Sequence, residues 1–406
     1  MELSPDELLL ERLADLPAAR PLITGLGDDD GVYVVGGVVR DLLLGVEPLD
    51  LDLVVEGEPQ RVVNALGAAA HVHDRFGTAT VEIAGVRYDI ARARRETYSR
   101  PGALPTVSPA RIEEDLGRRD FTVNALALGL AGRYRGHLVA FPGALEDLRG
   151  RTLRVLHDAS FSDDPTRLLR LARYAGRLGF SIEDGTRRLA RQSLEGGALQ
   201  TVTGSRLGAE LRLLAQEPDP VKALSALGDL GVDEALEPGF GLGDPELAAR
   251  ALALLDGDGD RGALALATAS MSLSPRVLAA LLDRLAFPAG QRELIVAAAS
   301  GSRDLARALE RASLPSEIAA AAAGSPAESV ALAGALGPAA AARRWLSQLR
   351  HVELEIDGSD LVAAGVLPGP RIGAGLRAAL AAKLDGEVDG RAEELARALE
   401  AAADTG

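Results

Sequence analysis

From residue 31 to about 140 the chain alternates short β-branched runs, VYVV, LDLVV, TATVEI and VRYDIAR, with helical or loop segments, the pattern of an α/β domain. After about residue 141 Leu, Ala and Arg recur at helical spacing and strand signals nearly vanish. Breaks such as EPDP, EPGFGLGDPE, DGDGDRG and GSPAE separate the helices, so an all-helical assembly is expected there. No fixed-period repeat stands out. The alanine-rich run near 318 to 342 reads as packed small-residue helices.

With 406 residues the chain is too long for one core, and two to four domains are expected. It contains no cysteine, which excludes disulfides, thiolate zinc sites and cysteine nucleophiles. The segment MELSPDELLLERLADL is acidic and amphipathic, unlike a signal peptide, and no apolar run is long enough to span a bilayer. A cytoplasmic protein with no membrane partner is expected. The net charge of -15 argues against nucleic acid until its distribution is considered. Residues 149 to 212 hold twelve arginines against seven acids, so a basic middle lies between acidic ends. A phosphate channel and a solvated helix face both fit that asymmetry.

Residues 31 to 52, GVYVVGGVVRDLLLGVEPLDLD, concentrate the candidate chemistry. Strand residues two apart share a face, so Asp50 and Asp52 place two carboxylates together as hard ligands for Mg²⁺. Gly36 and Gly37 lack a Cβ, so their NH groups can approach a triphosphate at the start of the following helix, where Arg40 adds a forked cation. Asp89, in VRYDIARAR, is a candidate third carboxylate facing that pair; a strand-end surface residue is the plainer reading. The stretch RARRETYSRPGALPTVSPARIEED, rich in Arg, Pro and Gly, reads as a mobile loop beside the site. In RRDFTVNALAL, Arg118 and Arg119 supply cations and Asp120 can accept from a ribose hydroxyl, unless Asp120 or Thr122 simply caps a helix. Only two lysines occur, neither after a glycine, which excludes a P-loop. The His73-Asp74 and His157-Asp158 pairs form no spaced metal set and read as structural or surface features.

The segment FSDDPTRLLRLARYAGRLGF predicts a helix starting near Pro165, with Arg167, Arg170 and Arg173 along one side. A solvated arginine face, with Asp164 as a helix cap, is one explanation. The alternative is base reading: a carboxylate at 164 and a guanidinium at 167 match an edge that offers an amino donor beside a ring-nitrogen acceptor, as in cytosine and adenine but not guanine or uracil.

These three constellations, in this order, resemble the class II tRNA nucleotidyltransferase and bacterial poly(A) polymerase family. The resemblance is dense from 31 to 212 and resumes at 354 to 373, LEIDGSDLVAAGVLPGPRIG. It implies an α+β chain with a polymerase-β-like head of mixed sheet and helices (1–140), then an all-α neck (141–212), body (213–350) and tail (351–406). It also implies Mg²⁺ on Asp50 and Asp52, and nucleotide contacts by Gly37, Arg40, Arg119, Asp164, Arg167, Arg170 and Arg173, with Asp120 near the ribose. The family's usual Glu-Asp-x-x-Arg is here Asp163-Asp164-Pro165-Thr166-Arg167. TVTGSRLGAEL, with Arg206 and Glu210, resembles its last neck motif and is expected to brace the arginine helix through an ion pair. In the tail, Gly369-Pro370-Arg371-Ile372-Gly373 should open a helix.

The function so implied is addition of CMP, AMP or both to a tRNA 3′ end, from CTP and ATP, with pyrophosphate leaving. The rivals are a poly(A) polymerase, a small-molecule nucleotidyltransferase and a non-catalytic RNA-binding protein.

Overall fold

The computed structural model describes residues 5–28, 30–48, 51–67, 70–73, 77–83, 85–255 and 257–404. Asp50 and Asp74 lie outside these described residues, so their placement enters nothing below. The contacts divide the chain into two units, residues 1–210 with 230–235, and residues 211–229 with 236–406.

The first unit is built on a seven-stranded sheet of β1 (Val32–Val35), β2 (Asp52–Val55), β3 (Ala70–His73), β4 (Thr78–Ile83), β5 (Val86–Arg92), β8 (Leu126–Gly129) and β9 (Leu138–Ala140). Its order is β3-β4-β5-β2-β1-β8-β9. Every pairing is antiparallel except β2 with β5, which run parallel with Asp52 opposite Asp89. Alternation sends Tyr33, Val35, Val54, Ala93, Ala125 and Ala127 to one face, where Ile112 and Leu116 of the Ile112–Gly117 helix cover them. That cover stops short of the Asp52 and Asp89 end, which leaves this end of the face accessible.

The stretch expected as a mobile loop is a hairpin of β6 (Arg94–Thr97) and β7 (Thr106–Pro109), with Glu96 opposite Val107. Its alternating residues let Arg94, Glu96 and Tyr98 point one way, and ion pairs fix that side. VNALAL resolves into a 3₁₀ turn at Thr122–Asn124 followed by β8. Beyond residue 141 the described chain is helical apart from the two-residue parallel pair β10 (Thr152–Leu153) and β11 (Ser181–Ile182). The arginine helix spans Arg167–Leu178, after a tight turn through Asp164 to Thr166 that starts it two residues later than proline preference suggests.

The second unit is all helical among the described residues. In it the Pro370–Asp385 helix opens after Gly369, as its Gly-Pro start predicts. It packs on the Arg391–Asp404 helix around Ile356, Leu361, Ala379 and Ala398, and Lys383 pairs there with fully buried Glu394. Among the described residues no helix is long and apolar enough to cross a membrane.

Candidate active site

β1 ends in a turn that only glycine makes easily. Gly36 has φ 73° and ψ -124°, and a Cβ there would sit 2.8 Å from Nη1 of Arg119. The Arg119 guanidinium thus lies over the turn, and its Nη2 donates to Asp115 at 3.1 Å. Gly37 opens the Gly37–Leu44 helix, whose first NH groups point toward the same space.

Arg40 departs from expectation. Its side chain is 2% exposed, its Nε donates to Asp41 at 2.8 Å and its Nη1 to Asn124 at 2.6 Å. The guanidinium also lies 5.7 Å from the Tyr174 ring centre. A cation buried behind the helix start holds the turn, and Arg40 is absent from the cleft lining. Sequence periodicity could not show this, because Asn124 lies 84 residues away.

Asp52, first in β2, lines the cleft, and Asp89 stands beside it in register on β5. Residues directly opposite in a sheet share a face, so the two carboxylates point the same way. Asp89 is well exposed and its Oδ1 accepts from the Thr80 hydroxyl at 2.7 Å. Exposed carboxylate oxygens on one face are a donor set that suits a hard divalent cation. Among the described residues no group of three or more potential metal ligands is gathered, and Asp50, the nearest further acid in sequence, lies outside them.

The cleft itself has a volume of about 390 Å³ and is lined by six arginines, 94, 118, 119, 167, 170 and 206, against four acids, Asp52, Glu96, Asp120 and Asp164. The acids hold the arginines in place. Glu96 Oε1 accepts from Nη2 of Arg94 at 2.9 Å and from Nη1 of Arg118 at 3.1 Å, while Oε2 accepts from the Tyr98 hydroxyl at 2.8 Å. Burial, then the Glu96 carboxylate, pushes the Tyr98 hydroxyl well above its ordinary pKa. Fully buried Asp115 accepts from both Arg118 and Arg119.

Asp120 is 6% exposed and makes four bonds. Its Oδ1 accepts from Phe121 N and Asn124 Nδ2, and its Oδ2 from Nε and Nη2 of Arg170 at 2.9 and 2.6 Å. Burial alone would raise its pKa, but the Arg170 charge and these hydrogen bonds outweigh it and bring it to about 2. Arg170 is correspondingly raised by Asp120. The predicted ribose acceptor therefore has its oxygens committed to protein donors, because the partner that claims it sits 50 residues along the chain.

On the Gly204–Ala215 helix, Glu210 reaches Arg170 at 3.5 Å and Arg173 at 3.7 Å, and Arg206 pairs with Asp164 at 2.8 Å. The expected brace is present, with Arg206 on Asp164 and Glu210 on the arginines. Arg173 lies beside Tyr174 and is absent from the cleft lining, so the three-residue arginine spacing delivers only Arg167 and Arg170 to the cleft. Asp164 Oδ1 also accepts from Thr166 N and Oγ1. Arg167 is 5% exposed, with Nη1 donating to Ser160 Oγ at 2.7 Å and Nη2 to the Arg118 carbonyl at 2.6 Å. Both nevertheless line the cleft. Two of the five Arg167 donors are spent in this way, and Asp164 keeps its second oxygen clear of these bonds.

Glu96, Tyr98, Asp115, Asn124 and Tyr174 escaped the sequence reading. For Glu96 and Tyr98 a signal existed, since R-x-E-x-Y at period two shares one strand face. For Asp115 and Asn124 none did.

The model of the Poly A polymerase head domain matches residues 32–154, the stretch that carries the sheet, the glycine turn and the RRDFTVNALAL segment. The chain belongs to the class II tRNA nucleotidyltransferase and bacterial poly(A) polymerase family. It is similar to the CC-adding tRNA nucleotidyltransferase of Deinococcus radiodurans, 37% identical over 355 residues that cover 86% of this chain and 84% of that one. It is 43% identical over 230 residues to the A-adding tRNA nucleotidyltransferase of Geobacter sulfurreducens, covering 55% of this chain and spanning only 26% of that relative's length. A solved CCA-adding enzyme in an apo form matches with TM-score 0.83 and 30% identity, over 98% of this chain and 100% of that one.

Proposed function

We propose that the chain is a template-independent nucleotidyltransferase that adds CMP, AMP or both to the 3′ end of tRNA, from CTP and ATP, releasing pyrophosphate. The observation that carries this reading is the junction at Asp52: an arginine-lined cleft large enough for a nucleotide meets a carboxylate-bearing strand beside a glycine turn. Similarity to both a CC-adding and an A-adding relative supports C and A as the two bases, and solved neighbours captured with tRNA, ATP and CTP support the substrates.

In this reading the cleft acts by preorganisation. Arg119, held by Asp115 over the Gly36 turn, and Arg118, held between Asp115 and Glu96, meet the triphosphate oxygens. Arg40 and Asn124 keep the turn in shape. Asp120 fixes Arg170 near the sugar. Asp164 presents its unused oxygen and Arg167 its remaining NH groups to the base, which suits cytosine or adenine. Asp50 and Asp52 would hold Mg²⁺, which would neutralise triphosphate charge and make the 3′ hydroxyl more acidic, and Asp89 stands beside Asp52. The 3′ hydroxyl attacks the α-phosphorus as the bond to pyrophosphate breaks. Residues 1–140 form the catalytic head, 141–212 a base-reading neck, 213–350 a body and 351–406 a tRNA-binding tail. In this reading the protein works in the cytoplasm, with tRNA as its substrate.

The test offers tRNA ending before CCA, after C and after CC to the purified chain, with each α-labelled nucleotide separately. Label from CTP or ATP alone, lost in Asp52→Ala with unchanged far-UV circular dichroism, is the expected result. Full activity in Asp52→Ala ends the carboxylate assignment. Long tails from ATP on RNA without a tRNA fold replace this reading with a poly(A) polymerase, and no incorporation at all leaves an RNA-binding protein.

A further inference from the structure

Tyr174 lines the arginine cleft one turn beyond Arg170 and two turns beyond Arg167, on the same side of the Arg167–Leu178 helix. Its ring is fixed by three neighbours: the Phe121 ring meets it edge-on at 5.8 Å, and the guanidinium carbons of Arg173 and Arg40 stand 5.1 and 5.7 Å from its centre. The other phenol of the cleft, Tyr98, donates to Glu96. The Tyr174 hydroxyl has no hydrogen-bond partner among the described residues and is not sealed from solvent. Burial, then the Asp120 carboxylate, raises its pKa, so it keeps its proton and can donate. Arg40 ties this position to the glycine turn, because a Cβ on Gly37 would sit 3.4 Å from its Nη2.

We infer that the Tyr174 hydroxyl reads the sugar of the incoming nucleotide, sharing a hydrogen bond with a ribose hydroxyl and so favouring CTP and ATP over their deoxy analogues. The inference rests on the transfer reading above and adds a specificity residue to it. The two ends of a bound nucleotide fix where its sugar must lie. The base meets Asp164 and Arg167 at the start of the helix, and the triphosphate meets the Gly36 turn and Arg119. From Arg167 to Tyr174 the helix rises about 10 Å, the order of the base-to-phosphate span, so a nucleotide laid between those ends passes its sugar along Arg170 and Tyr174. Asp120, the acid beside that path, already has both oxygens bonded to Phe121, Asn124 and Arg170. The Tyr174 phenol keeps both a donor and an acceptor open, which match a hydroxyl that itself donates and accepts. A phosphate oxygen only accepts, and the neighbouring arginines draw it more strongly. Because three neighbours hold the ring, the contact costs little further ordering.

The experiment measures single-nucleotide addition to acceptor tRNA from CTP and ATP, and from their 2′-deoxy and 3′-deoxy analogues, by wild type and by Tyr174→Phe, which keeps the ring and loses only the hydroxyl. Wild type should use at least one of the two analogues about fivefold less well than the parent nucleotide in kcat/KM, the size of one neutral hydrogen bond. Tyr174→Phe should lose about fivefold with the parent nucleotide, through KM, and nothing further with that analogue, while the KM for tRNA stays unchanged. The analogue whose penalty disappears names the hydroxyl that is read. A purely structural role lowers parent and analogues alike. That outcome, a penalty that Tyr174→Phe leaves intact for both analogues, or no penalty in wild type overturns the contact. Calorimetric binding of the parent nucleotides and their analogues, without tRNA, should rank them in the same order. Wild type that adds no nucleotide to any RNA refutes the transfer reading instead, and the calorimetric ranking, compared between wild type and Tyr174→Phe, then decides the contact alone.

Discussion

Asp120→Asn separates charge from shape at the junction of sheet and arginine helix. The carboxylate accepts four hydrogen bonds, two of them from Arg170. Asparagine occupies the same volume but offers one acceptor oxygen and no charge, leaving Arg170 with Glu210 at 3.5 Å. The folded-state pKa of about 2, against an ordinary 3.8, corresponds to about 2 kcal/mol of stability at neutral pH. Breaking a buried pair outright costs about 3 to 5 kcal/mol, and the Arg170 side chain, 34% exposed, recovers part of that from water. About 2 kcal/mol is therefore the expected difference. Its sign with pH follows from a folded pKa depressed below the unfolded one: the contribution is complete above about pH 4 and is lost as pH falls through about 2. The variant cannot ionise at 120, so the gap between the two proteins should be about halved near pH 3. The chain supplies its own probes. All five tyrosines, 33, 88, 98, 134 and 174, lie in the first unit and the one tryptophan, Trp345, in the second. Urea unfolding followed by tyrosine fluorescence should show the loss. A gap that is equal at pH 7 and pH 3, or below about 0.5 kcal/mol throughout, refutes the assigned pairing.

Three further outcomes follow from the same geometry. Gly36→Ala should cost about 1 to 3 kcal/mol from backbone strain, displace Arg119 and weaken CTP and ATP binding, measured by urea unfolding and nucleotide titration; unchanged nucleotide affinity would show that the turn does not face the triphosphate. Glu96→Gln should release Arg94 and Arg118, raising the nucleotide KM about tenfold while the KM for tRNA stays put, and an equal rise in both would assign Glu96 to folding alone. Arg206→Ala frees Asp164 and also removes a bond to the Gly102 carbonyl at 3.2 Å, so discrimination of CTP and ATP against UTP and GTP should fall, measured as the ratio of their kcat/KM values. A preserved ratio would exclude Asp164 from base reading.

What the sequence disclosed and what it withheld divide along chain distance. VYVV, TATVEI and VRYDIAR form strands as read, because alternation is a local signal. The Gly-Pro start of the Pro370–Asp385 helix is equally local. The hairpin at 94–109 was missed because Arg, Pro and Gly imitate a loop, while its order comes from Glu96 tying Arg94 to Arg118, 22 residues on. The inward partners of Arg40 were illegible for a similar reason. Its spacing from the glycine pair suits a phosphate ligand, and only Asn124 and Asp41 decide that it turns inward. The parallel pairing of β2 with β5, which brings Asp89 beside Asp52, depends on strand order, and no local pattern encodes that.

The choice of cation explains how one cleft can be both rigid and receptive. All six cations that line it are arginines, and the chain's two lysines, 222 and 383, lie in the second unit. An ammonium offers three donors around a point, so an acid that fixes it also neutralises what a ligand would meet. A guanidinium offers five donors in a rigid plane. Asp115 can therefore hold Arg118 and Arg119, Ser160 and the Arg118 carbonyl can hold Arg167, and Asp120 can hold Arg170, while each fork keeps NH groups for a ligand. Among the described residues only Glu96, Asp115, Asp120, Asp164 and Glu210, of the chain's 59 acids, brace this basic cleft, so most of the chain's acidity lies elsewhere. Its net charge of -15 is thus compatible with binding a triphosphate and an RNA end, because the charge that a ligand meets is set by the cleft lining and not by the total.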